Sequence, residues 1–251
     1  MFTVSDLWRY PIKSHGREHI DTVELTAGQT MPWDRHWAVT HGDSKFDADN
    51  PAWVMCRNFM IGASTPSLAG ISAELDAEKE ALTLRHSKLG ELTFWPDKAE
   101  DHTRFLDWVR PICPADQRQP FGLAAVPNRG MTDTDYPTVS IMTNASHRAV
   151  EGRIGRPLER ERWRGNIWLD GPALWEEFEW IGKRIQIGGA VLEVIEPIQR
   201  CKHTMANPAS GVRDTDTLAA LNEGFGHQDF GVYATVVDSG SVSCGDTAKV
   251  I

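Results

Sequence analysis

RIQIGGAVLEVIEPIQRCKHTMANPASG, residues 184–211, carries the strongest structural signal in the sequence. Two apolar runs flank Gly188-Gly189, which predicts two strands joined by a glycine turn. Cys201 follows the second strand, and the breakers Asn207-Pro208 and Ser210-Gly211 then predict a turn. The pattern therefore predicts a thiol mounted at the end of an apolar strand, just before a rigid turn.

Short strands separated by turns dominate the rest of the chain. In the first half, ISAEL (71–75) and ALTLRH (81–86) predict a hairpin, and ELTFW (91–95) extends it. In the second half, LERERWRGNIWLDG (158–171) reads as one strand, with Arg160, Arg162 and Arg164 on one face. The last strands, on either side of residues 238–240, read as a final hairpin.

Helical signals are few and short. They predict helices over HTRFLDWV (102–109), ASHRAVEGRI (145–154) and TDTLAAL (215–221), the last two with polar caps at their starts. Many short strands and few helices indicate a mainly β protein with some α structure, built from barrels or curled sheets. The polar residues 97–101 mark the expected domain boundary, which gives predicted domains of residues 1–98 and 99–251.

Composition and charge restrict the class of partner. The 251 residues are 41% apolar and 24% charged, as is usual for soluble globular proteins. A net charge of −9 argues against a nucleic-acid binder, but a local basic pocket could still hold a small anion. No segment approaches the ~20 apolar residues of a membrane helix, and the N-terminal residues lack the apolar core of a signal peptide. We therefore expect a cytoplasmic protein with no nucleic-acid or membrane partner.

Cys201 is the cysteine whose surroundings suggest chemistry. The four cysteines form no C-x-x-C pair, which argues against a zinc knuckle or a dithiol redox site. Arg200, Lys202 and His203 surround Cys201, and nearby positive charge stabilises a thiolate. The residues alone leave two other interpretations open: a structural cysteine at a strand end, and a nucleophile paired with His203.

Several segments together resemble one family. Arg200-Cys201, Thr204, Asn207-Pro208, Gly211 and Asp214 resemble the core signature of the MOSC family, named for the C-terminal domain of molybdenum cofactor sulfurase. The match extends to WRGN (163–166), FGVY (230–233) and Gly245-Asp246. In the first half, YPIKS (10–14) and DRHWAV (34–39) resemble the β-barrel domain that precedes MOSC in many members. The resemblance covers nearly the whole chain and is nearest to the mitochondrial amidoxime-reducing component and its bacterial counterparts.

The resemblance implies an architecture and a cofactor. The expected fold is an N-terminal β-barrel-like domain plus a C-terminal MOSC domain with a β-barrel core, and the cofactor lies in the cleft between them. Molybdenum cofactor (Mo-molybdopterin) is implied, with the Cys201 thiolate as the metal ligand and the catalytic centre. The other cofactor-binding residues that the resemblance implies are Lys13, Ser14, Arg35, Arg57, Thr143, Asn144, Ser146, Arg164 and Asn166.

Some of these positions also have purely structural interpretations. Lys13 could be a solvated loop residue, and Asn144 could simply cap its helix. Arg160 and Arg162 alternate with acidic residues and predict a charged surface strand, so Arg164 is selected only because it lies in the WRGN motif. Some relatives carry a second cysteine just before the ligand, whereas this chain has Pro197-Ile198-Gln199-Arg200 there.

The resemblance also implies a reaction. Members of this subgroup reduce N-hydroxylated compounds such as amidoximes, hydroxylamines and N-hydroxylated bases. The expected partners are a small-molecule substrate and a separate electron-donor protein, which could be a flavoprotein, a ferredoxin or a cytochrome. The alternative is a protein that carries the cofactor, or sulfur on Cys201, without catalysing a reaction.

Overall fold

The computed structural model describes residues 1–251 and is mainly β, with 36% strand and 22% helix, as the sequence predicts. The strands are β1 (Phe2–Arg9), β2 (Glu18–Ile20), β3 (Thr22–Leu25), β4 (Trp37–His41), β5 (Ser72–Asp76), β6 (Ala81–His86), β7 (Gly90–Phe94), β8 (Pro120–Ala125), β9 (Val139–Thr143), β10 (Ile167–Asp170), β11 (Arg184–Ile187), β12 (Ala190–Gln199), β13 (Asp229–Asp238), β14 (Gly240–Ser243) and β15 (Thr247–Val250). The α-helices are α1 (Ala99–Val109), α2 (Asn144–Ile154) and α3 (Thr217–Phe225). Short 3-10 helices span Cys56–Asn58, Pro66–Gly70, Arg110–Ile112, Arg160–Trp163, Glu176–Trp180 and Lys202–Met205.

Seven strands close into a barrel in the order β1, β10, β9, β13, β12, β11, β15 and back to β1. The alternation in β12 turns Ala190, Leu192 and Val194 into the barrel, as the apolar pattern of that segment predicts. Twenty buried apolar residues form the barrel core, and each large one contributes about 1.5–3 kcal/mol to the free energy of folding. The pairing of β12 with β13 shifts register three times. The shift nearest to Cys201 lies between Pro197 and Gln199. Such bulges bend a strand and redirect its end.

The first strand of the chain belongs to this C-terminal barrel. In β1, Phe2 and Thr3 pair with Ala248 and Thr247 of β15, and the other edge of β1 pairs with β10. Without β1 the barrel would have two open edges. The N-terminal half therefore supplies a necessary part of the C-terminal core, and the domain limits at residue 98 remain a prediction.

The N-terminal half forms a second core from smaller sheets. Strands β5, β6 and β7 make the predicted three-stranded antiparallel sheet, and β4 pairs with β8. Helix α1 packs onto this core, where Phe105 stacks on Phe94 with ring centroids 4.9 Å apart. A third pairing, β3 with β14, joins the two halves.

Two strand predictions were wrong. The expected final hairpin does not form, because β14 pairs with β3 and β15 pairs with β1 and β11. The pairing with β3 brings Val23 and Val242 into the barrel core, and this burial outweighs the local turn signal. Residues 160–163 form a 3-10 helix, and the strand starts only at residue 167.

The predicted helices are confirmed, and their ends have the expected chemistry. Helix α2 is capped by Thr143, whose Oγ1 accepts a hydrogen bond from the Ser146 amide, and it ends at Gly155 with φ 84°. Asp216 caps α3 in the same way. None of the three α-helices combines the length and apolar character needed to cross a membrane.

Candidate functional site

The two halves of the chain meet at a cavity of about 120 Å³. Five cationic side chains and a single carboxylate line it, although the chain as a whole has a net charge of −9. Such a site attracts an anion. The lining residues are Lys13, Ser14, Arg35, Cys56, Ile61, Ala63, Asp133, Ser140, Arg162, Trp163, Arg164, Ile198, Gln199, Arg200, Cys201, His203, Thr204 and Tyr233.

Cys201 lies where the sequence predicts, two residues beyond the end of β12. Its backbone is extended, its side chain is exposed, and the 3-10 helix Lys202–Met205 begins at the next residue. Thr204 donates through its hydroxyl group to the Cys201 carbonyl at 3.1 Å, which fixes the turn. The structure therefore presents the thiol at the cavity wall from an ordered backbone.

The buried Arg200 anchors this strand end. Its Nε donates to the Phe230 carbonyl at 2.8 Å, and its Nη1 donates to the Trp163 carbonyl at 2.8 Å. Burial lowers the pKa of Arg200 from 12.5 to about 10, and no carboxylate forms an ion pair with it. Since its donors are occupied by backbone carbonyls, Arg200 mainly holds β13 and the WRGN segment in place beside Cys201.

Two arginines pack against the ring of Tyr10. The guanidinium carbon of Arg35 lies 4.8 Å from the ring centroid, and that of Arg164 lies 4.2 Å from it. Arg35 forms an ion pair with the buried Asp34, and its Nη2 donates to the Arg164 carbonyl at 2.8 Å. This contact links the N-terminal DRHW segment directly to the WRGN segment.

Arg164 has an unused donor and, unlike Arg162, forms no ion pair. Its Nη1 donates to the Gly16 carbonyl at 3.2 Å, whereas its buried Nη2 has no hydrogen-bond partner. Burial, and then the charge of Arg35, lower the pKa of Arg164 to about 9. A buried, unpartnered N–H of a charged group is costly, so this donor is suited to a bound anion.

The backbone is strained at the same place. Seven non-glycine residues have positive φ, and three of them line the cavity: Ser14 at 63°, Arg35 at 50° and Arg164 at 50°. Left-handed conformations cost about 1–3 kcal/mol at non-glycine residues and concentrate at functional sites. The clustering therefore supports a functional role for this cavity.

The single carboxylate, Asp133, was not identified from the sequence. It forms an ion pair with the buried Lys13, whose Nζ also donates to the Met131 carbonyl at 2.8 Å. Partial desolvation opposes ionisation of Asp133, whose side chain is 56% exposed, but the charge and hydrogen bond of Lys13 outweigh it and hold the pKa at about 2. Asp133 lies in a polar loop among several other acidic and hydroxyl residues, and nothing in its spacing marks it. Lys13 is thus not a solvated loop residue.

His203 is a poor partner for a nucleophile. The ring is buried, and burial followed by the charge of Arg164 lowers its pKa to about 3. No hydrogen bond joins His203 to Cys201, and an imidazole with so low a pKa is a weak general base near neutrality. The ring packs so closely on Gly62 that a Cβ there would lie 2.1 Å from its Nδ1. The structure therefore favours the metal-ligand interpretation of Cys201 over a Cys–His pair.

The cavity brings together five of the ten predicted site residues. Lys13, Ser14, Arg35, Arg164 and Cys201 line it. The others do not: Arg57, Thr143, Asn144, Ser146 and Asn166 lie outside the lining.

Most of the outside residues have structural partners instead. Thr143 and Ser146 donate to the buried carboxylate of Glu177, both at 3.0 Å. The Asn144 amide donates to the Ser5 hydroxyl at 2.8 Å. Asn166 accepts from Ser140, a cavity residue, at 2.8 Å, and therefore supports the wall from behind. Arg57 is exposed.

Arg162 corrects a further prediction. It lines the cavity and has no exposed side-chain surface, so it is not part of a charged surface strand. Its Nε lies 2.7 Å from Glu159 and its Nη2 lies 2.8 Å from Asp214. The sequence pattern failed here because the two carboxylates that neutralise the arginine are brought together only by the fold.

No group of three or more histidine, cysteine or acidic side chains could hold a metal ion. A metal bound at Cys201 would therefore need ligands from outside the protein. A dithiolene cofactor with an anionic tail meets that need, because it brings sulfur ligands to the metal and a phosphate to the cations.

Comparison with known proteins accounts for both halves. The model of the MOSC N-terminal beta barrel domain matches residues 1–109, and the model of the MOSC domain matches residues 130–249. Molybdenum cofactor sulfurase of Drosophila ananassae is 35% identical over 129 residues, which are 46% of this chain and 16% of that protein. Molybdenum cofactor sulfurase 3 of Aedes aegypti is 33% identical over 79 residues, which are 31% of this chain and 10% of that protein.

The chain thus matches only a small part of these curated relatives. Among solved structures, the YUAD protein from Bacillus subtilis is 15% identical, with a TM-score of 0.49 over 100% of this chain and 96% of that one. The two family models match successive parts of the chain, the N-terminal domain first and the MOSC domain second. The chain belongs to the MOSC domain family, as a member in which a MOSC N-terminal beta barrel domain precedes the MOSC domain.

Proposed function

We propose that this protein binds molybdenum cofactor through the Cys201 thiolate and reduces N-hydroxylated compounds such as amidoximes, hydroxylamines and N-hydroxylated bases. One observation carries the cofactor assignment. An exposed thiol and a buried, unpartnered arginine donor line the same cationic cavity. A soft thiolate suits molybdenum, and a buried guanidinium suits a phosphate.

Each cavity residue has a distinct part in this proposal. Cys201 would ligate the metal, and Arg164 would donate its free Nη2 to the anionic part of the pterin. Arg35 and Ser14, which also line the cavity, would add hydrogen bonds to the cofactor. The bound cofactor would supply the two-electron chemistry, while the chain supplies ligation, orientation and access.

Asp133 and Lys13 form the one ionised acid–base pair of the cavity. With a pKa of about 2, Asp133 stays a carboxylate near neutrality. It would therefore orient Lys13 and accept hydrogen bonds from an N–H or O–H of the substrate. Because an acid with so low a pKa is ionised near neutrality, Asp133 would be a poor proton donor.

The reductase activity rests on the resemblance of the YPIKS and DRHW segments to the amidoxime-reducing subgroup. Both segments contribute to the cavity, through Lys13, Ser14 and Arg35. Such a reaction consumes electrons, so we propose a separate electron-donor protein, either a flavoprotein, a ferredoxin or a cytochrome.

A carrier is the second candidate. The matched curated relatives are named molybdenum cofactor sulfurases, and the exposed Cys201 could carry sulfur or hold the cofactor without turnover. The MOSC match alone is compatible with both functions.

The test begins with protein purified from a host that makes molybdenum cofactor. We expect about one molybdenum per chain with sulfur-rich coordination, and reduction of benzamidoxime with reduced methyl viologen as donor. Cys201→Ser should abolish the activity, while Cys244→Ser should keep it, because the Cys244 thiol lies against the Ile20 carbonyl away from the cavity.

The outcomes separate the candidates. Stoichiometric zinc, with neither molybdenum nor pterin, would refute the cofactor assignment. A wild-type protein that holds molybdenum but reduces neither amidoximes nor hydroxylamines would refute the reductase and leave the carrier. X-ray absorption at the molybdenum edge should show one fewer sulfur ligand in any cofactor that Cys201→Ser retains.

A further inference from the structure

Four exposed cations surround the surface next to the cavity. We define the basic rim as Arg57, Arg118, Lys202 and Arg213. Three of them line a shallow depression together with Ala63, which also lines the cavity. Arg57 joins them because its carbonyl accepts a hydrogen bond from Arg118 at 3.1 Å. The rim therefore borders the cavity.

The rim charges are largely free. Arg118 has a carboxylate neighbour, Asp43, at 3.5 Å, and Asp116 also lines the depression. Lys202, Arg57 and Arg213 form no ion pair, and Arg213 is held instead by the Ala63 carbonyl at 2.6 Å. On a chain with a net charge of −9, this is a concentrated positive surface.

Exposed apolar side chains lie beside these charges. Met55 is 53% exposed and Val212 is 59% exposed, and each is within two residues of a rim arginine in the sequence. A surface that combines exposed apolar residues with a charged border has the composition of a protein interface. A small anion would gain nothing from the apolar side chains of the rim. The unpartnered Arg164 donor, which suits such an anion, lies in the cavity and not on the rim.

We propose that the basic rim docks an acidic one-electron carrier protein. This inference rests on the proposed function and adds the place and chemistry of the donor. Converting an N–OH group to N–H and water takes two electrons and two protons, so two one-electron carriers must dock in turn for each substrate. Brief successive encounters favour electrostatic steering over a large apolar interface.

The test uses a plant-type [2Fe–2S] ferredoxin with an excess of acidic residues as the probe. The rim variant is Lys202→Glu with Arg213→Glu. The matched control is Lys183→Glu with Arg184→Glu, two exposed cations at the start of β11 that line neither the cavity nor the depression. Arg184 pairs with Glu193 of β12, which lies six positions before Gln199 along the strand, a length of about 20 Å.

Binding is measured on protein from the cofactor-proficient host, at low salt and at about 0.15 M ionic strength. We expect the wild type and the control to bind the ferredoxin with an affinity that falls as salt rises. The rim variant should bind about tenfold more weakly at low salt. Equal affinity of the rim variant and the control, or no salt-dependent binding by the wild type, would overturn the proposal.

A kinetic ratio separates docking from catalysis. The rate of benzamidoxime reduction with ferredoxin is divided by the rate with methyl viologen, so that any change in cofactor content cancels. The ratio should fall about tenfold in the rim variant alone. If no variant reduces benzamidoxime with either donor, the proposed reductase fails, while the binding measurement still decides whether the rim docks an acidic protein.

Discussion

Arg164→Met tests whether the partly buried guanidinium at the cavity serves a ligand or the fold. Methionine is similar in length and can still pack on Tyr10, but it has neither charge nor N–H donors. The unliganded protein loses the hydrogen bond to Gly16, worth about 1 kcal/mol, and the interaction with the Tyr10 ring, worth about 1–2 kcal/mol.

These losses are opposed by the removal of a buried cation. Burial lowers the pKa of Arg164 from 12.5 to about 9, so below that pH the charged form destabilises the folded state. A shift of that size corresponds to at most about 5 kcal/mol, which the partial exposure of the side chain reduces to about 1–3 kcal/mol. We therefore expect the free energy of unfolding to change by less than about 1 kcal/mol, and Tm by less than about 4 °C.

Cofactor retention should change far more. Loss of a charge-assisted hydrogen bond to an anion costs about 1.5–3 kcal/mol, or about a 10- to 150-fold weaker affinity. Molybdenum is measured by mass spectrometry and pterin by fluorescence after oxidation, and unfolding is followed on protein from a cofactor-deficient host. Arg160→Met is the control, because Arg160 forms an ion pair with Asp6 and does not line the cavity. Wild-type pterin content together with a clear loss of stability in Arg164→Met would refute the reasoning.

Two further predictions concern His203 and its surroundings. Gly62→Ala should lower the free energy of unfolding, measured by urea titration, by about 1–3 kcal/mol and reduce cofactor content, because a Cβ would collide with the buried His203 ring. The control is Gly152→Ala in α2, where a Cβ meets nothing within 4 Å. This control should be neutral or stabilising in the same titration. Burial lowers the pKa of His15 to about 4 and that of His203 to about 3. Below about pH 6.5 the unfolded chain therefore binds more protons than the folded chain. As the pH is lowered from about 6 to about 4, the free energy of unfolding should fall by about 1.4 kcal/mol per pH unit for each of these two histidines. A His15→Gln variant with an unchanged slope would contradict the second prediction.

The sequence predicted the elements whose signals are local. The strands around Gly188-Gly189, the hairpin at 71–86 and the caps of α2 and α3 follow from short-range patterns, and the structure confirms them. Cys201 at the strand end belongs to the same class, since its position depends only on where β12 stops.

Long-range partners could not be predicted in this way. The residues Asp238-Ser239-Gly240 favour a turn, but β14 pairs with β3 because this pairing buries Val242 in the barrel core. Arg162 looked exposed because its carboxylate partner Asp214 is 52 residues away in the sequence. Asp133 becomes a site residue only through Lys13, at a separation of 120 residues.

The position of β1 has a consequence for how the chain is made. Residues 2 and 3 leave the ribosome long before their partners at 248 and 247. During synthesis β1 must wait without its β15 partner, and the growing barrel cannot close until residues 247–250 have been made. A nascent chain with such exposed edges is open to mispairing with other chains. The barrel beside the cavity can therefore close only after β15 has left the ribosome.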